Sequence, residues 1–183
     1  MSKTFEMIAA GFGGQGVLAL GQIVAYSAMY NDKNTTWLPS YGPEMRGGTA
    51  NCSVVVSDAP VANPMITHPN VLVAMNRPSV DKFIDNVVPG GYVFINSSLI
   101  DVKVERTDLH VYYVPTIELA TENGNPKGSN VVMLGAVVEA TGIVDDDKAI
   151  EGVEYFFSKK PQLIEPNKKM FAVGCDFIRN LNK

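Results

Sequence analysis

Two glycine-rich stretches near the start of the chain carry the residue types best suited to an anion. The first is Gly11-Phe12-Gly13-Gly14-Gln15-Gly16, directly after the apolar run Met7-Ile8-Ala9-Ala10. Glycines at 11, 13 and 16 match the G-x-G-x-x-G spacing. Such glycines permit a tight turn, close approach of a phosphate to the backbone, and close packing of the next helix on its strand. A helix starting there would aim unpaired N–H groups and the positive end of its dipole at the anion. A glycine turn that serves packing alone is the competing reading of the same spacing. The second stretch, 39–51, contains Tyr41, Gly42, Pro43, Glu44, Arg46, Gly47, Gly48 and Asn51. Its prolines restrict the chain and its glycines allow close approach by another backbone. Arg46 has the forked donor geometry that suits a carboxylate or phosphate. A long irregular loop of this composition is more often functional than idle.

A full dinucleotide site also needs an acidic residue at the end of the second strand to hold a ribose. That strand, read over 35–38, ends in Pro39-Ser40; Asp32 precedes it and Glu44 lies past it. The NAD or FAD reading is weakened accordingly. No G-x-S-x-G elbow, Walker lysine or H-E-x-x-H is present. The two cysteines, Cys52 and Cys175, form no C-x-x-C and are too few for an iron–sulfur cluster. They read as buried thiols, and His68 and His110 as structural. No metal-binding residues and no catalytic residues are assigned to this chain.

These loops need strands and helices to hold them, and the chain alternates the two. Strand signals fall at 5–10, 35–38, 50–57, 71–75, 92–96 and 110–114. Helix signals fall at 16–30, at 80–87 with Ser79 as N-cap, at 117–121, and at 130–141 closed by Gly142. Two more follow, at 145–159 with lysines at its end and after Pro166. The stretch 130–141 is apolar nearly all round, so it is expected to be buried on two sides, with an outward face for a partner. The last helix carries an inward stripe of Met170, Phe171, Gly174, Phe177, Ile178 and Leu181. The pattern predicts one α/β domain over 1–183. Its architecture is a three-layer α/β/α, with a mostly parallel, possibly mixed, sheet and helices on both faces. Ligands of such sheets bind at the carboxyl ends of the strands. Both glycine loops, Asn76, Asn96 and Pro115 are expected at that edge.

Composition narrows the function classes. The chain has 183 residues, 46% apolar and 19% charged, with a net charge of −4. No basic run is present, which argues against a nucleic-acid partner. No apolar stretch approaches a membrane span, and the first residues lack a signal-peptide layout. A cytoplasmic location is the expectation.

The string Gly11-Phe-Gly-Gly-Gln-Gly-Val-Leu, followed by Leu38-Pro-Ser-Tyr-Gly-Pro-Glu-Met-Arg-Gly-Gly-Thr-Ala-Asn-Cys, resembles the gamma subunit of 2-oxoacid:ferredoxin oxidoreductases. The strand from Val71 through Asn76-Arg77-Pro78-Ser79 and the segments starting at Pro89 and Asn130 are similar too. This resemblance covers nearly the whole chain. It implies a subunit of a complex that oxidatively decarboxylates a 2-oxoacid with coenzyme A, giving acyl-CoA, CO₂ and reduced ferredoxin. Thiamine diphosphate, Mg²⁺ and [4Fe-4S] clusters are then expected in the alpha, beta and delta partner subunits, with none bound by this chain alone.

The form Glu44-Met45-Arg46-Gly47-Gly48-Thr49-Ala50-Asn51 leans toward the 2-oxoglutarate members, then the 2-oxoisovalerate members. Pyruvate and indolepyruvate enzymes are further alternatives. Under this resemblance Gly11, Gly13, Gly14, Gln15 and Gly16 are the candidate loop for the coenzyme A diphosphate, with Gln15 as a side-chain donor and Arg46 and Asn76 beside it. Arg46 is also a candidate for docking, with Tyr41, Glu44, Gly47, Gly48 and Asn51, on the thiamine-bearing subunits. A free-standing nucleotide-binding module, a purely structural subunit, and self-association of the isolated chain remain open.

Overall fold

A strand covered on both faces must be apolar on both, and β1 (Thr4–Phe12) meets that condition from Met7 to Ala10. Met7 and Ala9 join one hydrophobic cluster, and Ile8 and Ala10 join another on the opposite face. The computed structural model of the protein describes residues 4–41 and 49–181, Tyr41 by its backbone alone. After β1 come α1 (Val17–Tyr30), β2 (Asn34–Tyr41), β3 (Thr49–Ser57), β4 (Val71–Ala74) and α2 (Arg77–Phe83). β5 (Tyr92–Asn96), β6 (His110–Val114), α3 (Thr116–Glu122), α4 (Ser129–Thr141), α5 (Asp146–Phe156) and α6 (Ile164–Leu181) complete the described strands and α-helices.

The sheet order is β2-β3-β1-β4-β5-β6. β1, β4, β5 and β6 are parallel, whereas β3 runs antiparallel to both β1 and β2. The sheet is therefore mixed, with a single reversed strand. A parallel crossover needs a dozen or more residues. The connection 42–48 is shorter than that, so β2 and β3 must form a hairpin. β2 is an outer edge and carries Pro39 in its interior, as edge strands tolerate.

Helices lie on both faces, unequally. α1, α3, α4, α5 and α6 contribute to the larger cluster, packed on Ala50, Cys52, Val54 and Val56 of β3 and on Met7, Ala9, Val71 and Val73. The other face is sheathed by α2 through Val80 and by irregular chain through Ile66, Ile100, Val102 and Val104. On the thicker side α4 and α6 approach backbone to backbone. A Cβ on Gly135 would press on the Phe171 carbonyl and lie 3.0 Å from the Cys175 nitrogen. A Cβ on Gly174 would press on the Val132 carbonyl and lie 2.9 Å from the Ala136 nitrogen. α4 is thus covered on its second side by α6 of the same chain, which uses the face expected to meet a partner.

Several boundaries move from the sequence reading, each for a local reason. α2 starts at Arg77, because Asn76 rather than Ser79 caps it: the Asn76 side-chain oxygen accepts from the Ser79 N–H at 2.9 Å. Pro78 then sits in the first turn, where its missing N–H costs nothing. β2 extends past Pro39 to Tyr41 by pairing with β3. α5 ends at Phe156, so Lys159 lies beyond it rather than in its last turn. α6 begins at Ile164, ahead of Pro166. Met170, Phe171, Gly174 and Ile178 are buried as predicted, but Phe177 is only half-buried and Leu181 is exposed. Both cysteines are buried free thiols. His110 stacks on Tyr92 with ring centroids 5.0 Å apart. No described helix is long and apolar enough to cross a membrane.

Candidate functional site

β1 and β4 are neighbouring parallel strands at the middle of the sheet, and their helices leave for opposite faces, α1 on one side and α2 on the other. Such a switch point is where α/β sheets open a crevice for ligands. The same edge receives the ends of the β2–β3 hairpin. Gly11 pairs with Ala50, and Ala50 with Tyr41, in one row across the sheet, and Phe12 pairs with Thr49 in the next. The 11–16 loop and the two ends of the second stretch, Tyr41 and Thr49, therefore lie at one edge of the sheet, while 42–48 lie outside the described residues.

The first loop turns tightly. The Gln15 N–H donates to the Phe12 carbonyl at 3.1 Å. Gly14 (φ 98°) and Gly16 (φ 75°) take conformations that a side chain strains. Gly16 is the N-cap of α1 and has no capping side chain. Its carbonyl accepts from the Leu20 N–H at 2.9 Å and from the Asn130 amide of α4 at 3.3 Å. The N–H groups of a helix's first turn lack intrahelical acceptors. Here they border an open depression of about 240 Å³, lined by Phe12, Gly13, Gly14, Gly16, Val17, Leu18, Ala19 and Ala50.

α1 is seated at this height by β3. Gly21 leaves room for the Cys52 thiol, and Cys52 donates to the Val17 carbonyl at 3.5 Å. Burial pushes the Cys52 thiol up to about 12, so it packs as a neutral group.

Gln15 does not face the depression. Its side-chain oxygen accepts from the Phe12 N–H at 2.7 Å, and its amide nitrogen donates to the Met75 carbonyl at 2.9 Å. The donor expected to reach a ligand is instead bonded to β4's exit, a contact between residues sixty apart that no local pattern discloses. The side chain thereby spans from the end of β1 to the exit of β4, and the depression lies on the β3 side of β1.

Asn76 is buried, and its oxygen also accepts from the Ser79 hydroxyl at 2.6 Å. Its amide nitrogen is buried with no hydrogen-bond partner among the described residues. Along the same edge Asn96 accepts from the Thr116 hydroxyl at 2.9 Å. Ser98 bonds Glu118 and holds its carboxyl below the usual range. Asn51 is half-buried on β3, paired with Ala10 and Ser40. Glu44, Arg46, Gly47 and Gly48 lie outside the described residues, as does the side chain of Tyr41.

The described lining contains no acid, base or nucleophile. It can bind an anion through backbone N–H groups and a helix dipole. Proton transfer or covalent chemistry would have to come from elsewhere. The thiols also fit no cluster, since Cys52 lies on β3 and Cys175 on α6, both buried.

The profile of one family, pyruvate ferredoxin/flavodoxin oxidoreductase, matches residues 6–177. The chain belongs to this family. Among its relatives is the ketoisovalerate oxidoreductase subunit VorA of Methanothermobacter marburgensis, 40% identical over 172 residues. That match takes in 93% of this chain but 36% of VorA, so the chain spans about a third of that relative's length. The 2-oxoglutarate synthase subunit KorC of Methanocaldococcus jannaschii is 32% identical over 179 residues, covering 96% of this chain and 95% of KorC. In structure the chain is similar to the keto/oxoacid ferredoxin oxidoreductase gamma subunit of Geobacter sulfurreducens. The TM-score is 0.81 at 29% identity, over 96% of this chain and 99% of that one. Within the family, then, the fold recurs in chains named as gamma subunits.

Proposed function

We propose that the chain is the gamma-type subunit of a thiamine-diphosphate-dependent 2-oxoacid:ferredoxin oxidoreductase and that it holds the diphosphate of coenzyme A. The observation that carries this reading is the depression at the N-terminus of α1, bordered by the 11–16 loop and Ala50. Family membership supports the oxidoreductase assignment. Bound in the complex, thiamine diphosphate supplies the carbanion chemistry and the clusters carry electrons to ferredoxin. Two buried thiols cannot ligate a cluster, so the clusters are assigned to partner subunits; the family resemblance assigns thiamine diphosphate to the alpha and beta partners. This chain contributes binding and orientation.

Backbone N–H groups of α1 face the diphosphate, and Gly13 and Gly14 let it approach. Arg46 sits on a segment that leaves β2 at Tyr41 and enters β3 at Thr49, beside Phe12. It either pairs with a coenzyme A phosphate or docks, with Tyr41, Glu44, Gly47, Gly48 and Asn51, on the thiamine-bearing subunits. The unpaired Asn76 amide would serve a bound water or a ligand oxygen. The 44–51 string favours 2-oxoglutarate as the acid oxidised. The higher identity to VorA than to KorC supports a second reading, 2-oxoisovalerate.

Gly14 gives a direct test, because a Cβ there meets no atom within 4 Å. Gly14→Val therefore adds bulk to the depression, at a backbone cost of about 1–2 kcal/mol. In the assembled complex, purified anaerobically, it should raise the KM for coenzyme A about tenfold while leaving the KM for the 2-oxoacid alone. An unchanged coenzyme A KM in an intact complex makes the loop structural. Arg46→Ala separates its two roles. Loss of assembly on a sizing column means docking, whereas intact assembly with weaker coenzyme A use means ligand contact. A 2-oxoacid panel on the same preparation decides between the two substrates.

A further inference from the structure

We propose that Gln15 is a positioning residue: it latches the glycine loop to β4, shuts the crevice between β1 and β4, and so presents the first turn of α1 on the β3 side. This rests on the reading that the loop takes the coenzyme A diphosphate.

Four observations converge on it. First, both ends of the Gln15 amide are bonded to main chain across the switch point, to the Phe12 N–H at 2.7 Å and to the Met75 carbonyl at 2.9 Å. Second, the strands are drawn together just beneath it. The Met75 N–H donates to the Ala10 carbonyl at 2.8 Å, extending the β1–β4 ladder to the residue that Gln15 holds. Third, Gly11 is shaped around this latch. A Cβ there would lie 2.6 Å from the Gln15 side-chain oxygen and 3.0 Å from the Met75 Cβ. The first glycine of the spacing thus makes room for a side chain of its own loop. Fourth, Gln15 is absent from the lining of the depression, although residues on both sides of it in sequence contribute.

The physical consequence is directional. A loop rich in glycine has many conformations, and only some of them aim the N–H groups of α1 at one point. Two bonds from one planar amide fix the loop at its start and at β4 together. The same side chain occupies the space in which a dinucleotide would cross from β1 to β4. An anion is left the β3 side, where Ala50 borders the depression.

The test uses the assembled complex with Gln15→Leu, Gln15→Glu and, in parallel, Gly14→Val. Gln15→Leu removes both bonds at similar bulk. Gln15→Glu keeps an acceptor for the Phe12 N–H and loses the donor to Met75. If Gln15 positions the loop, Gln15→Leu raises the KM for coenzyme A about tenfold, the scale of a lost hydrogen bond or two. The kcat at saturating coenzyme A holds, and Gln15→Glu, which sets a carboxylate against the Met75 carbonyl, raises the same KM. Should Gln15→Leu fail to assemble, a rise in Gln15→Glu that persists at high salt, where the added charge is screened, carries the test.

A coenzyme A KM unchanged in an intact complex overturns the proposal, even with a lowered thermal midpoint. If Gly14→Val still raises that KM, the loop binds coenzyme A and only the latch is wrong. If neither position moves it, the reading of the loop itself has failed.

Discussion

Gly174→Val should lower the thermal midpoint of the protein by about 10 °C, and Gly135→Val by a similar amount, on the scale of overpacking two helices. Each glycine lies where the backbone of the other helix occupies the space that a side chain would need. The neighbouring atoms are carbonyl oxygens and amide nitrogens, held in their own helical ladders. A rotamer change cannot relieve such a contact; α4 and α6 must move apart. Separation would loosen buried residues on both helices, among them Val132, Met133, Met170 and Phe171.

The expected cost is roughly 3–5 kcal/mol, above an ordinary core substitution. The double variant should cost less than the sum of the two, because the helices have already parted when the second side chain is added. Calorimetry on the two single variants and the double decides it. A single variant that melts within a degree or two of wild type would show that the helix pair yields easily.

Alkaline pH should destabilise the protein through its two thiols. Burial raises both Cys52 and Cys175 from an ordinary value near 9.0 to about 12. Between those limits the folded chain keeps protons that the unfolded chain releases. The unfolded state then binds fewer protons, so stability falls as pH rises. The thiol contribution is complete below about pH 9 and is lost toward pH 12. Its slope is about 1.4 kcal/mol per pH unit for each thiol.

Each thiol also donates to a carbonyl, Cys52 to Val17 at 3.5 Å and Cys175 to Gly135 at 3.4 Å, and a thiolate could do neither. Lysines and tyrosines titrate in the same range, so the comparison is with the C52A/C175A variant, which shares them. Denaturant unfolding at pH 8, 9, 10 and 11 should give wild type the steeper decline. Parallel curves would mean that the thiols are less enclosed than they look. At neutral pH both should resist alkylation until the chain unfolds.

Much of this architecture is legible in the sequence, and the reason is periodicity. The apolar runs before Gly11 and before Asn76 can only be central strands, and the 130–141 stretch, apolar nearly all round, had to be enclosed. The edge where Asn76, Asn96 and the 11–16 loop gather follows from the alternation of strands and helices, which brings the carboxyl ends of parallel strands to one side. The reversal of β3 was within reach too, since the 42–48 connection is too short for a crossover.

What escaped depends on contacts distant in sequence or on competing local bonds. Gln15 reads as a free donor until Met75 is placed beside it. Ser79 and Asn76 are both plausible caps, and only the observed bond from the Ser79 N–H to Asn76 chooses between them. Phe177 and Leu181 fit an inward stripe by spacing. The burial of α6 narrows toward its end, however, and leaves Leu181 at the surface.

Pro39 has a bearing on how the protein survives between synthesis and use. An outer strand of eight residues is long enough to recruit a foreign strand and seed aggregation. Proline has no N–H to offer, and in edge strands that deficit faces outward. A ladder built onto β2 would therefore lack a rung at its sixth residue, next to the exposed Leu38. The opposite border, β6, has only five residues. Both margins of the sheet therefore offer a foreign strand a broken or short ladder, which lowers the hazard of edge-to-edge pairing.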